Sequence, residues 1–141
     1  MIVKFYDQVE DEKLKFAVIA ARAEGKWVFC KHKARTTFEM PGGHREPGEP
    51  ILTTARRELQ EETGATAFDL QPVCVYSVTD PDNFDGAETY GLLCTAQVHA
   101  FGPIDSEMEK IVLTADLPTQ WTYPQIQPKL LAELERRGVI Q

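Results

Sequence analysis

The chain has 141 residues, 43% of them hydrophobic, and a formal net charge of −7. That length and composition suit one folded domain, residues 1–141, with a sizeable core, and exclude a disordered chain. The acidity argues against long nucleic acids and anionic membranes, which demand basic surface, yet a divalent cation would still let such a protein hold a small phosphorylated ligand.

The N-terminal stretch MIVKFYDQVEDEK has no signal-peptide apolar region. The longest apolar run, FAVIAA at Phe16–Ala21, is far too short to span a bilayer. Lys15–Arg22 and Lys26–Cys30 read as strands around a turn at AEGK. The segment 36–50, TTFEMPGGHREPGEP, holds three Pro and three Gly and reads as an ordered loop. A helix follows from Pro50 to Thr63, with Pro50 suited to its first turn and Gly64 to its end. Leu52, Ala55 and Leu59 recur at helical spacing and predict a core-facing stripe. Leu70–Val78 and Thr89–Phe101 read as strands around a polar loop, and KIVLTADLP as a further short strand. QIQPKLLAELERRG reads as a second helix, with Ile126, Leu130, Leu131 and Leu134 on one face, Glu133 and Arg137 paired at i, i+4, and Gly138 at its end. Strands, helix, strands, helix predict an α+β layering with helices packed on a mixed sheet. Cys30, Cys74 and Cys94 form no CxxC and are expected as small apolar residues in strands, which suits a reducing cytoplasm.

The stretch RRELQEETG, Arg56–Gly64, breaks local rules. Glu58, Glu61 and Glu62 fall within an arc of about 100° on the helix. Like charges at such spacings cost roughly 0.2–0.5 kcal/mol per pair, and negative charge near a helix C-terminus opposes the macrodipole. A solvated charged face, eased by Arg56 and Arg57, is the plain explanation. The alternative is a site for a hard cation such as Mg²⁺, which is usually shared between one or two carboxylates, water and substrate phosphates.

The surrounding residues decide between these. Gly43, Glu49, Arg57, Glu58, Leu59, Glu61, Glu62, Gly64 and Ala65 form the pattern G-x5-E-x7-R-E-L-x-E-E-x-G-A. Chance produces such a match on the order of once in 10⁸ start positions. Residues 43–65 therefore resemble the Nudix box of the Nudix hydrolase family; only Ala65 is small for its closing aliphatic position, and the preceding FEMPGG extends the likeness.

The resemblance implies a Nudix fold, an α/β/α sandwich with a mixed sheet between helices. It implies hydrolysis of a nucleoside diphosphate linked to another moiety, with Mg²⁺, or Mn²⁺, as cofactor. By that likeness Glu58 and Glu62 are the main metal ligands, Glu61 is a further ligand or water-positioner, and the carbonyl of Gly42 completes the shell beside the box glycine Gly43. Arg57 then holds Glu58, and Glu49 is a supporting carboxylate. The general base is expected to be Glu58 or, outside the box, Glu107 in DSEMEKIVL with Glu109 behind it; Glu107 is equally readable as a surface glutamate.

Other features stay open. Lys33 and Arg35 in CKHKAR either pair with phosphates or end a strand in solvent, and His44 and Arg45 occupy variable box positions that can face substrate. Trp121 and Tyr123 either cap the core or stack on a base. DPDNFDG, Asp80–Gly86, misses the EF-hand spacing and is expected at the rim of the site. No zinc-like spacing involves His32 or His99.

The expected substrate is a small nucleotide, first a nucleoside triphosphate such as an oxidised purine deoxynucleotide, as in MutT-like members. The alternatives are ADP-ribose or another nucleotide sugar, for which Pro81 has a suggestive spacing from the box, and an RNA 5′ end. A nucleotide-binding module without catalysis is the non-enzyme alternative; such modules often lose box glutamates, and all are present here. Nudix relatives often dimerise, so the resemblance allows a homodimer, although no stretch marks an interface.

Overall fold

A computed structural model describes residues 1–82, 86–104 and 108–140. The strands are β1 (Ile2–Tyr6), β2 (Leu14–Ala23), β3 (Lys26–His32), β4 (Gly42–His44), β5 (Ala65–Thr79), β6 (Glu88–Phe101) and β7 (Met108–Thr114). The helices are α1 (Ile51–Thr63) and α2 (Gln127–Arg136). The strands make one mixed sheet in the order β1-β5-β6-β2-β3-β7, with β4 paired to β2 off this path. Among these strand pairings of the described residues, β2–β6 is parallel and the others are antiparallel.

The β2–β3 hairpin turns at Glu24 and Gly25, whose φ values are 53° and 75°. Positive φ at both central positions is what a type I′ hairpin turn requires. Beyond the turn, β2 changes partner along its length. Ala21–Ala23 pair with β3, whereas Phe16–Val18 pair with β4. The chain between β3 and β4 bridges this split: Glu39 pairs with Cys30, and Phe38 with Trp121.

One helix covers each face of the sheet. Ala55 and Leu59 of α1 pack with Ile19, Val28, Val75, Leu92 and Cys94. Leu130, Leu131 and Leu134 of α2 pack with Phe29, Met40, Cys74, Tyr76 and Leu93 on the other face. The expected α+β sandwich is therefore the observed one, and all three cysteines lie buried and free in strands.

Several boundaries differ from the sequence reading. Leu52, expected on the core stripe, is 38% exposed. It belongs to the first turn of α1 and borders an open groove with Asp11, Arg45, Pro47 and Pro50, while Ile51 packs on the core instead. Pro50 is the N-cap rather than a residue of the first turn. Strand β5 begins at Ala65, immediately after the left-handed cap Gly64, so the first half of this strand is longer than its alternation suggests. Strand β1 is paired in register with the far end of β5, and its short segment carries no hairpin signal in the sequence.

Two carboxylates tie the periphery. Glu88 accepts hydroxyl hydrogen bonds from Tyr6, Ser77 and Tyr90, each at 2.6 Å, which joins β1, β5 and β6. Glu133 accepts three from Arg136 and Arg137 at 2.6–2.8 Å, and Arg137 also reaches Asp7. The Arg136 hydrogen bonds, more than any other cause, hold Glu133 down at about 2. Because its folded pKa is depressed, its contribution is complete above the unfolded carboxylate range near 4.5 and is lost as pH falls towards 2. Glu133→Gln should cost about 1 kcal/mol at pH 7, allowing for solvent screening of the exposed Arg136. Thermal unfolding of both proteins should show that difference shrinking between pH 4.5 and 2; a gap independent of pH would count against the ion pair.

Candidate active site

Strand β4 is a short piece of backbone pinned between β2 and α1. Gly42 faces Val18 and Gly43 faces Ala17 in the register with β2. On the α1 side, a Cβ built on Gly43 would overlap the carboxyl of Glu58. Any side chain at the box glycine would therefore have to push the Glu58 carboxylate out of its place. Gly43→Ala should displace Glu58 and reduce turnover roughly 10–100-fold, the usual cost of disturbing groups that orient a ligand shell. Steady-state kinetics with a thermal unfolding control tests this, and unaltered turnover would show that Glu58 can move freely.

Arg57 organises the carboxylates. Its Nε and Nη2 donate to the two oxygens of Glu49 at 2.8 and 3.0 Å. Its Nη1 donates to Glu58 at 2.7 Å and to Glu61 at 3.3 Å, and Nη2 also reaches the His44 carbonyl at 3.0 Å. Glu49 in turn accepts from the Thr54 hydroxyl at 2.6 Å and from the Glu46 N–H. The Arg57 and Thr54 bonds hold Glu49 down at about 2, so it stays a carboxylate; those to Glu49, first of all, push the Arg57 guanidinium up.

Glu62 has a different environment. Its Oε1 accepts the Gly42 N–H at 2.7 Å, and it lies mostly within the protein, with the Cys30 thiol donating to its backbone carbonyl. Burial pushes the Glu62 carboxyl up to about 8, against the opposing effect of the Gly42 bond, with Glu58 and Glu39 adding repulsion. Burial also raises Glu58, and Arg57 partly offsets it. Glu61 is half-exposed.

This donor set fits a hard divalent cation. It offers carboxylate oxygens whose ionised forms are disfavoured by burial and mutual repulsion, a penalty that a bound cation removes. Among the described residues, no three Asp, Glu, His or Cys groups converge into a preformed cage. A cation held by one or two carboxylates together with water and phosphates needs no such cage.

A cavity of about 320 Å³ opens beside Gly42, Gly43 and His44. Phe16, Val18, Met40, Tyr76, Val78 and Ile126 give it apolar walls, and Glu39, Gln127, Asp80 and Tyr123 also border it. Sequence reasoning missed most of this lining. The acidic residue inside FEMPGG was the only hint of Glu39, and Gln127 gave none.

The remaining candidates divide. Arg35 reaches the cavity rim, donating to Glu39 at 3.2 Å and to the Tyr123 hydroxyl at 3.5 Å. Lys33 lies exposed in the turn after β3. Arg45, left open as a residue that can face substrate, is turned the other way: its guanidinium binds Asp11 and the carbonyls of Asp11, Leu14 and Glu49, which staples the loop to β2. His44 borders the cavity, edge-on to Phe16. Gly42, expected to offer its carbonyl, meets Glu62 through its N–H. Trp121 packs edge-on against Phe29 as part of the core cover, whereas Tyr123 is 39% exposed at the cavity. Glu107 lies outside the described residues, and the side chain of Glu109 does as well.

A mixed sheet between two helices, with a loop–helix unit presenting glutamates over a glycine pair, defines an α+β class distinct from the parallel-sheet Rossmann and P-loop architectures. The chain belongs to the Nudix family: residues 11–134 match the NUDIX domain. It is 37% identical over 76 residues to a putative 8-oxo-dGTP diphosphatase, YtkD, of Bacillus subtilis (strain 168), a match covering 54% of this chain and 48% of that protein. It is 44% identical over 64 residues to an ADP-ribose pyrophosphatase of the same organism, covering 43% and 35%. The chain thus spans about half the length of the first relative and about a third of the second. In structure it is similar to a mutant form of the Bacillus subtilis pyrophosphohydrolase BsRppH, with TM-score 0.78 and 24% identity over 99% of this chain and 93% of that one. The likeness to BsRppH is one of fold. No helix among the described residues is long and apolar enough to cross a membrane.

Proposed function

We propose that this chain hydrolyses a phosphoanhydride bond in a small nucleotide, using Mg²⁺ or Mn²⁺ held by Glu58 and Glu62, with Glu61 and the Gly42 carbonyl as further donors. The observation that carries this reading is the placement of Glu58 and Glu62 against Gly43 and Gly42 at the side of the apolar cavity. Nucleoside and diphosphate then have adjoining places: an apolar cavity for one, a carboxylate-lined glycine strand for the other.

A bound divalent ion would polarise phosphoryl oxygens and lower the pKa of an attacking water. The chain's own residues do the positioning. Glu49 anchors Arg57, and Arg57 fixes Glu58 against Gly43. Glu58 is the first choice to take the proton from the attacking water, because Arg57 keeps one of its oxygens oriented; Glu107 is the second. Three buried free thiols favour a reducing cytoplasm as its location.

The favoured substrate is a nucleoside triphosphate, oxidised purine deoxynucleotides included; the identity to the putative 8-oxo-dGTP diphosphatase supports it. ADP-ribose is a second reading, supported by 44% identity over a shorter stretch. Phosphate and pyrophosphate release should be measured with Mg²⁺ on dNTPs, 8-oxo-dGTP, ADP-ribose, dinucleoside polyphosphates and triphosphorylated RNA. Turnover of triphosphates that chelation abolishes is the expected result. Tight binding without turnover on every compound would overturn catalysis in favour of a binding module.

A further inference from the structure

Glu39 and Gln127 are 6% and 4% exposed, yet both border the apolar cavity. Buried polar groups are costly unless paired, so what each still offers to the cavity is informative. The Met40 N–H donates to Gln127 Oε1 at 2.8 Å. A backbone N–H can only donate, so this bond fixes which way the amide faces and leaves its Nε2 as a donor. Glu39 Oε1 accepts from Arg35 at 3.2 Å, and its Oε2 accepts no hydrogen bond among the described residues. Met40 joins the two residues, following Glu39 in the chain and bonded to Gln127. The cavity therefore presents a carboxylate acceptor and an oriented amide donor within apolar walls, one from the segment before β4 and one from the first turn of α2.

We infer that Glu39 and Gln127 read the base of the nucleotide and that the base they select is guanine. The assignment rests on the nucleotide-hydrolase reading above. Guanine carries two adjacent donors, N1–H and the 2-amino group, beside one acceptor, O6. A carboxylate takes both donors and an amide N–H serves O6. Adenine offers one amino donor beside an acceptor ring nitrogen. Cytosine has one donor followed by two acceptors, and thymine has a lone donor between two acceptors. Each sets an acceptor against the Glu39 carboxylate where guanine sets its second donor, and such unpaired, opposed acceptors in an apolar cavity are what give a site discrimination. Arg35 steadies Glu39 from the rim and contacts Tyr123, whose ring borders the same space.

The test compares dGTP, dITP and dATP on the intact chain with Mg²⁺, and separately measures equilibrium binding of dGMP, dIMP and dAMP without metal. Hypoxanthine lacks only the 2-amino group, so the wild-type protein should favour guanine over it roughly ten- to a hundredfold, mainly through KM, and over adenine by at least as much. Glu39→Gln should bring the guanine-to-adenine ratio towards one in both assays. Gln127→Glu keeps the acceptor for Met40 N–H but sets an oxygen against O6, and should lower guanine affinity likewise. If nothing is hydrolysed but dGMP still binds selectively and Glu39→Gln erases that selectivity, the base assignment stands and only the hydrolase reading falls. Equal binding of dGMP and dAMP, or selectivity kept in a folded Glu39→Gln protein, overturns the assignment. Should the variants fail to fold, wild-type dIMP binding as tight as dGMP overturns it, and weaker dIMP binding supports it.

Discussion

Replacing Glu62 by Gln will lower kcat with Mg²⁺ by several orders of magnitude and leave the fold in place. The two halves of this expectation have separate physical grounds. Gln occupies the same volume and keeps an oxygen to accept the Gly42 N–H, so neither a cavity nor an orphaned donor is created. Burial already disfavours the charge on Glu62, so removing that charge does not cost stability. Thermal unfolding of the variant should match or exceed that of the parent. The catalytic loss comes from the cation: a neutral amide replaces a charged oxygen donor in a site that offers few carboxylates. Kinetics across a Mg²⁺ titration should show no recovery at high metal if the carboxylate also shapes the transition state. A folded Glu62→Gln protein with near-parental turnover would falsify the metal assignment.

The helix carrying Glu62 was legible because its signals are local. Capping, the i, i+4 apolar pair Ala55 and Leu59, and the crowded glutamates all lie within one segment. The division of labour among those glutamates was not legible. On a helical projection Glu58, Glu61 and Glu62 share one arc. In the fold, Glu58 and Glu61 share Arg57, while Glu62 turns under the Gly42 N–H. What separates them is β4, a three-residue strand inside a segment that reads as loop. Its pairing with β2 is a tertiary event that no local propensity encodes.

The cavity was illegible for the same reason. Gln127 reaches Glu39's neighbour Met40 across a sequence separation of 87 residues. Arg45 shows the converse case. Its variable position in a glycine-rich box loop left it open to face substrate, but Asp11 and three carbonyls were nearer. A cation in such a loop is claimed by whichever acceptors the fold brings first. Leu52 failed because periodicity reports a face, not what lies beneath each turn of it.

Arg57→Lys should reduce turnover roughly 10–100-fold, although the charge is conserved. The guanidinium serves carboxylates on two sides from fixed edges. Nε and Nη2 grip both oxygens of Glu49, and Nη1 points away to Glu58 and Glu61. An ammonium is a compact point charge on a flexible stem and cannot satisfy both at once. Glu49 offers both its oxygens to Arg57 and is itself fixed by the Thr54 hydroxyl, so the substituted ammonium would stay with Glu49 and release Glu58. The expected signature is therefore a loss in kcat with a smaller change in nucleotide affinity, because the cavity residues are untouched. Glu49→Gln should reproduce part of the loss through a different atom, by loosening Arg57 rather than replacing it. The two effects should be far from additive in the double variant, since both act on the orientation of Glu58. Additive losses would instead mean that Glu49 and Arg57 act independently, and that Glu58 is held by its packing against Gly43 alone.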